Sequence, residues 1–339
     1  MAQTVLHILK VYVPISGNFI KEKRAMFKKT FVSNAVAIVM TAGLVGAAQA
    51  DVVAQSILSI TGLTIIPSNP SAITSIAGAN QGSVSVTLNG STLANNSTVP
   101  FIGTAAAPIV DSRYIGTPGY TAFTPTIIGA SPTGTFGSSS VDLGGTAVGG
   151  GANARTDATI SIIGNGSGTA SSTLGVAATY TILTTQASSL TFNFFADPFM
   201  RAFVDPLFSA QAGIGFSVNI LGPNNSTVFN WTPDGSAGGI LGGLEIYDPC
   251  SLNTGLSQTF SGEQFYDPTC ANPSTSGGAV GQFQAITNIF AAGAYNVRIS
   301  HFSNASAISE NRIPEPSSLL LSSLALLGLG AVARRKTRG

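Results

Sequence analysis

Apolar and polar residues alternate along much of this chain with the period of two that marks half-buried β-strands. In SVSVTLNG, Val84, Val86 and Leu88 fall on one face, ahead of an Asn89-Gly90 turn signal. LTFNFF repeats the pattern with Leu190, Phe192 and Phe194, and GIGFSVNIL with Ile214, Phe216, Val218 and Ile220. STVFNW follows across Gly222-Pro223-Asn224-Asn225, so residues 213–231 are predicted to form a β-hairpin. AYNVRISHF places Tyr295, Val297 and Ile299 inward, with Asn296, Arg298 and Ser300 outward. No long helical period interrupts residues 51–313. Many short strands broken by Gly, Pro and Asn predict an all-β fold, an antiparallel β-sandwich that is jelly-roll-like.

The patterning is uneven within that β-sandwich domain, 51–313. Residues 178–302 carry the clearest strands, while 51–175 reads as loop-rich. From Pro67 to Gly175 the chain is dominated by Gly, Ser, Thr, Ala and Pro with short apolar pairs. GTFGSSSVDLGGTAVGGGANAR, 134–155, reads as a long flexible loop. No fixed period recurs, which argues against a solenoid. One domain using strands from both halves is the reading preferred here, with a separate N-terminal β unit as the alternative.

Two segments break the β pattern, one at each end. Residues 26–50, MFKKTFVSNAVAIVMTAGLVGAAQA, have a basic start at Lys28 and Lys29, an apolar run, and Ala48-Gln49-Ala50. That is a signal peptide cleaved after Ala50, leaving Asp51 as the new first residue. Residues 1–25 precede a complete signal peptide, so they are an overcalled start or an extended n-region. At the other end, Ser317 to Ala333 is an uncharged run of 17 residues with seven leucines. As a helix it would reach about 25 Å, against a hydrocarbon core of about 30 Å. Arg334, Arg335, Lys336 and Arg338 follow at once, and such residues stay on the cytoplasmic side. Residues 317–333 are therefore expected to be a transmembrane helix with the body held outside the inner membrane.

Charge sharpens this division. Charged residues are only 9% of the chain, against roughly 25% in an average soluble domain. The net charge of +1 hides a partition, because ten of the 15 Lys and Arg lie before Phe31 or after Ala333. Between Asp51 and Pro316 there are five Arg, no Lys and 13 acidic residues, a net charge of −8. A lysine-free acidic body offers no cationic surface for a phosphate backbone, which excludes nucleic acid as a partner.

Pro314-Glu315-Pro316, the leucine-rich run and Arg334-Arg335-Lys336 stand in order within residues 314–339. Together they resemble the PEP-CTERM sorting signal of Gram-negative bacteria. The two prolines fix φ and keep the segment extended just before the span, a form suited to a protease. The resemblance implies export by the Sec machinery, cleavage by signal peptidase, transient anchoring in the inner membrane, and processing by exosortase. It also implies release to the cell surface or extracellular matrix, in organisms that make exopolysaccharide and biofilm. More loosely, residues 178–302 resemble the EDSAP-type subgroup, which carries no activity that transfers to particular residues.

Candidate chemistry in the body is sparse. Cys250 and Cys270 are the two cysteines, and in an oxidising compartment they are expected to form a disulfide, with two unpaired thiols as the alternative. Two cysteines and one histidine are too few ligands for zinc. His301, the one histidine after Ala50, has no G-x-S-x-G elbow beside it and reads as a strand-end surface residue. Asp197, Asp205, Asp248 and Asp267 each precede a proline, and Glu245 and Glu263 lie near the last two. Asp-Pro is chiefly a turn signal. A structural calcium is the sharper reading, and a glycosidase carboxylate pair is a further one. Trp231, the sole tryptophan, is a candidate glycan contact, although its strand context favours a core or edge position. No cofactor, no metal and no catalytic residue is expected. The function expected is that of a non-catalytic surface or matrix protein. The rivals are a carbohydrate-binding module and a secreted glycoside hydrolase.

Overall fold

A computed structural model describes residues 51–309, apart from 104–105, 117–120, 131–132, 146, 148–150, 183–186, 206–207, 237, 260–261 and 267–280. The expected signal peptide, transmembrane run and sorting signal, together with Cys270 and Asp267, lie outside the described residues. Fifteen strands follow one another. The first seven are β1 (Asp51–Pro67), β2 (Ile73–Leu88), β3 (Ser91–Ile102), β4 (Ile109–Gly116), β5 (Phe136–Gly144), β6 (Ala152–Ile163) and β7 (Gly166–Ile182). The rest are β8 (Leu190–Val204), β9 (Ser209–Leu221), β10 (Thr227–Trp231), β11 (Gly243–Tyr247), β12 (Thr254–Gln258), β13 (Gly262–Tyr266), β14 (Gln282–Thr287) and β15 (Gly293–Ser309).

They form two antiparallel sheets that share one interior. Sheet A runs β11-β14-β8-β1-β6-β5-β4, with β13 also on β8. Sheet B runs β10-β9-β15-β7-β2-β3, with β12 also on β9. Each sheet takes strands from both halves of the sequence. The C-terminal edge of each is built the same way, because two short strands share the flank of one long strand. On β8, β14 pairs with 191–195 and β13 with 200–204. Asp197-Pro198 falls in the gap between them, where the missing proline N–H removes no ladder bond on that side. On β9, β10 pairs with the far end and β12 with Ala210–Ile214.

The alternating strands behave as their patterns predict. Val84, Val86 and Leu88 are buried, as are Leu190, Phe192 and Phe194, the four apolar residues of 214–220, and Tyr295, Val297 and Ile299. The 213–231 hairpin is present as β9 and β10. Phe194 sits at the centre of an aromatic cluster, stacked on Phe283 at 5.0 Å between ring centroids and tilted against Phe216 and Trp231. Offset and tilted rings are the favoured geometries for such contacts.

The glycine- and serine-rich stretch departs from expectation. Residues 134–155 are not one long loop, since they contain β5 and the start of β6. Small residues are what let the sheets meet here. A side chain at Gly137 would strike Val86 and Ile160, and one at Gly82 would strike Ile109. Close approach lets hydroxyls of one sheet reach the backbone of the other. Ser56 Oγ donates to Asn304 O at 2.6 Å, and Ser139 Oγ to Ser171 O at 2.6 Å. These groups form a polar belt that divides the interior. On one side lies the large cluster around Leu58, Phe194 and Phe216, and on the other a smaller, alanine-rich cluster around Val52, Ile160 and Ala305.

Candidate functional site

The residues singled out by sequence go to three places. Trp231, at the end of β10, is 1% exposed. Its indole Nε1 donates to Glu245 Oε1 at 2.5 Å, and its ring packs on Phe194 and Phe216. A ring enclosed on this scale cannot serve as a sugar platform, so Trp231 takes the core position that its strand context favours and the alternative of a glycan contact there falls away.

Glu245 leads into a carboxylate cluster. Its second oxygen accepts the Gly238 N–H at 3.2 Å. Asp248 Oδ2 accepts the N–H groups of Asp234 and Gly235 at 2.9 and 2.8 Å, which fixes the turn after Pro233. Burial pushes the Asp248 carboxyl well above the usual carboxylate range, and the Glu245 charge adds to the rise, against the pull of the Gly235 and Asp234 amides. Both carboxylates are thus occupied with an indole and loop amides. Asp51 and Asp205 make a second close pair, in which burial and then the Asp205 charge raise the Asp51 carboxyl. Asp197 lies on β8 and Glu263 on β13, bonded to Arg201. Among the described residues, no three His, Cys, Asp or Glu side chains are grouped to hold a metal ion.

His301 is not on the surface. It lies in the belt between the sheets, 2% exposed. Its Nε2 is 2.9 Å from Leu58 O and 3.0 Å from Thr156 Oγ1, which is in turn 2.8 Å from Ser303 Oγ. Leu58 O can only accept, which places the ring proton on Nε2. Burial drives the imidazole pKa down to about 3, against the opposing pull of Leu58 O. The correction has a simple cause. In β15 the positions 295, 297 and 299 point inward, and 301 keeps the same parity.

Sequence reasoning missed two features of the outer faces. The first is a strap, residues 121–130, laid over sheet A. Gln55 donates to Thr124 O and accepts from Thr126 N. Asp157 accepts the Phe123 N–H at 2.6 Å, and Arg201 donates to Ala130 O at 2.7 Å while paired with Glu263. Glu263 accepts the Gly129 N–H, and the Arg155 guanidinium stacks 4.5 Å from the Phe123 ring centre. Under this strap Asp157 is fully buried, which lifts its carboxyl to about 7 even though Phe123 N–H and the Thr159 hydroxyl favour the charged form. The signal was a run of polar residues at outward positions of central strands, but it looks like ordinary solvent-facing alternation.

The second is a pair of grooves on the outer face of sheet B. One, about 460 Å³, is lined by Gln211, Asn253, Ser257, Phe302 and Asn304 among others. The other, about 650 Å³, is lined by Gln81, Asn96, Thr98, Thr173, Arg298 and Ser300 among others. Among the described residues, no carboxylate lines either groove. Cys250 packs beside the main core.

Comparison with known proteins informs the tail. Residues 312–336 match the PEP-CTERM protein-sorting motif. This motif marks exported proteins for exosortase, so the resemblance read from Pro314, Glu315, Pro316 and Arg334-Arg335-Lys336 is supported. It does not extend to the body. No curated protein matches the chain. Two solved structures align with it, the secretin InvG of the Salmonella SPI-1 type III secretion injectisome and the basal-body assembly of InvG, PrgH and PrgK. Each is 7% identical with a TM-score of 0.10, covering 87% of this chain and 76% and 54% of the respective partner chains. Likeness at that level carries no structural argument.

Proposed function

We propose that this is a non-catalytic surface or matrix protein of a Gram-negative bacterium. The observation that carries this reading is the sorting motif at residues 312–336. In this account Sec exports the chain, and signal peptidase cuts between Ala50 and Asp51. Residues 317–333 then hold the chain in the inner membrane until exosortase acts at Pro314-Glu315-Pro316. The mature β-sandwich, jelly-roll-like and of the EDSAP type, joins exopolysaccharide or biofilm material. A disulfide between Cys250 and Cys270 belongs to the same oxidising destination.

In β1 the Asp51 backbone carbonyl accepts the Asp205 N–H at 3.1 Å, which holds the two residues side by side. Cleavage after Ala50 would place an α-ammonium beside the Asp51 and Asp205 carboxyls, offsetting the burial and the Asp205 charge that raise the Asp51 carboxyl. The test is terminal mass spectrometry of the native extracellular protein, with and without exosortase. The expected result is an N-terminus at Asp51 and loss of the segment after the Pro-Glu-Pro triplet only when exosortase is present. A surface-fraction chain still reaching Gly339 in exosortase-positive cells overturns the reading.

A further inference from the structure

We propose that the outer face of sheet B is a binding face for an acidic polysaccharide, with Arg298 pairing to a sugar carboxylate and Phe302 supporting a sugar ring. This deepens the surface-protein reading above and rests on it for location only.

The argument starts from what covers each sheet. The strap closes the outer side of sheet A, where Gln55, Asp157 and Arg201 are buried. Among the described residues no such segment covers the centre of the outer side of sheet B, and Gln81, Thr98, Thr173, Ser300 and Asn304 are exposed. Strand register arrays these side chains in rows across the sheet. Thr98 stands opposite Gln81, Gln81 opposite Gly175, and Gly175 opposite Ser300. In the next row Asn96 meets Ser83, Ser83 meets Thr173, and Thr173 meets Phe302. A face of hydroxyls and amides offers both donors and acceptors at short, regular spacing. That inventory matches a polymer of sugar hydroxyls. It suits a protein partner poorly, because stable interfaces need an apolar core with large side chains.

Phe302 supplies the one aromatic surface among these rows. Its half-buried ring lies across Gly215, so close that a side chain there would meet the ring at 2.1 Å. Gly213 receives Asn304 in the same way. Glycines on β9 therefore seat a ring and an amide side by side at the floor of the 460 Å³ groove. The less polar C–H face of a pyranose can lie on such a ring while its hydroxyls reach Asn304 and Gln211.

Charge selects the sugar. None of the seven strands of sheet B contains Asp or Glu. Among the described arginines, Arg113, Arg155 and Arg201 are paired with Asp111, Asp142 and Glu263. Arg298 has no such partner and points into the 650 Å³ groove among Gln81, Asn96 and Thr98. On an acidic body, an unpaired guanidinium within a carboxylate-free face is complementary to an anionic polymer at that face alone. Its planar donors suit a carboxylate.

Affinity electrophoresis of the exported chain in gels containing polygalacturonate or dextran tests this. The expected result is retardation by polygalacturonate that weakens with salt, with much less retardation by dextran. Arg298→Gln, an exposed change, should weaken polygalacturonate binding about tenfold, the worth of one charge-assisted hydrogen bond. Phe302→Ala should weaken it comparably. The proposal is overturned if polygalacturonate does not retard the chain, if dextran retards it equally, or if Arg298→Gln migrates as the native chain does. Self-association of the native chain that Arg298→Gln abolishes, without retardation by either polymer, would instead assign the face to a second copy. The assay is independent of C-terminal processing, so failure of the sorting reading and failure of this one are separately visible.

Discussion

The two sheets share a core but treat their outer faces in opposite ways. Sheet A holds every strand-borne carboxylate among the described residues, from Asp51, Asp111, Asp142, Asp157 and Asp197 to Glu245 and Glu263. It uses most of these groups internally, in three ion pairs and in hooks for the strap. The histidine and arginine of sheet B both lie in strand β15, as the buried neutral His301 and the exposed Arg298. The acidity of the body is thus mainly a feature of one sheet, and much of it is structural. Composition alone presents it as a uniform surface property.

Removing the arginine from each face should therefore have unequal effects. Arg201 is 1% exposed, paired with Glu263 and bonded to the strap at Ala130. Arg201→Ala leaves Glu263 without its counter-ion in a mostly buried site and frees one end of the strap. Breaking a buried pair in this way costs about 3–5 kcal/mol, to be read from urea unfolding. A loss under about 1 kcal/mol would show that the strap does not depend on this anchor, and the contrast between the faces would weaken.

Titration separates the group under the strap from the one between the sheets by sign. The Asp157 carboxyl, under the strap, has its pKa raised from 3.8 to about 7. The folded state then holds a proton that the unfolded state releases, so its contribution is full below about pH 4 and is lost as pH rises to about 7. Asp157→Asn should match the native protein at pH 4. It should exceed it at pH 8 by on the order of 4 kcal/mol. His301, between the sheets, has its pKa lowered from 6.5 to about 3. Its contribution is full above about pH 6.5 and is lost as pH falls toward 3. His301→Gln should gain on the order of 3 kcal/mol relative to the native protein between pH 7 and pH 4. Asp248 shares the sign of Asp157, so the two variants, rather than the native curve, isolate the effects. Parallel pH curves for the native protein and both variants would remove the distinction.

One segment ties the faces together. β12 edges sheet B and β13 edges sheet A, and both fall between Cys250 and Cys270. The disulfide proposed there would close a loop of about 20 residues, worth roughly 3 kcal/mol in the chain-entropy model. Cys250→Ser with Cys270→Ser should lower stability by that amount and speed hydrogen exchange in β12 and β13 before the long strands. Intact-mass analysis of the native protein after thiol labelling without reductant checks the bond itself. Two labelled thiols would sink it.

Much of the fold was legible wherever large apolar residues alternate with polar ones. Val84, Val86, Leu88 and the phenylalanines of β8 and β9 announced their strands and inward faces because burial of large side chains dominates strand choice there. β5 and β6 were not legible, because Gly137, Ser139, Ala154, Thr156 and Ala158 share their interior positions with only a few large residues, and such small residues also make loops. Their strand state depends on two sheets coming close enough for Ser139 and Thr156 to bond across, a condition that exists only in the assembled fold. The same tertiary condition hid His301 and Asp157, whose polarity reads as exposure. The tail was legible as a motif, since the order of its residue types is itself the signal and depends on no packed shape. The glycan face was not, because Phe302 and Gly215 are neighbours only through the β15–β9 register.

The smallest expected change is also the most specific. Arg298→Gln removes an exposed side chain that makes no ion pair among the described residues, so stability should move by less than about 0.5 kcal/mol. Unfolding in urea and the near-ultraviolet spectrum should overlay those of the native chain. A larger loss would mean that Arg298 supports the sheet as Arg201 supports the strap. The contrast between a structural arginine on a covered face and a free one on an open face would then fail at its foundation. An unchanged stability together with weakened retention by an anionic polymer would locate the role of Arg298 outside the fold. Such a pairing, a kinetic or binding change without a folding change, is what distinguishes a surface kept open for a ligand from one that is merely polar.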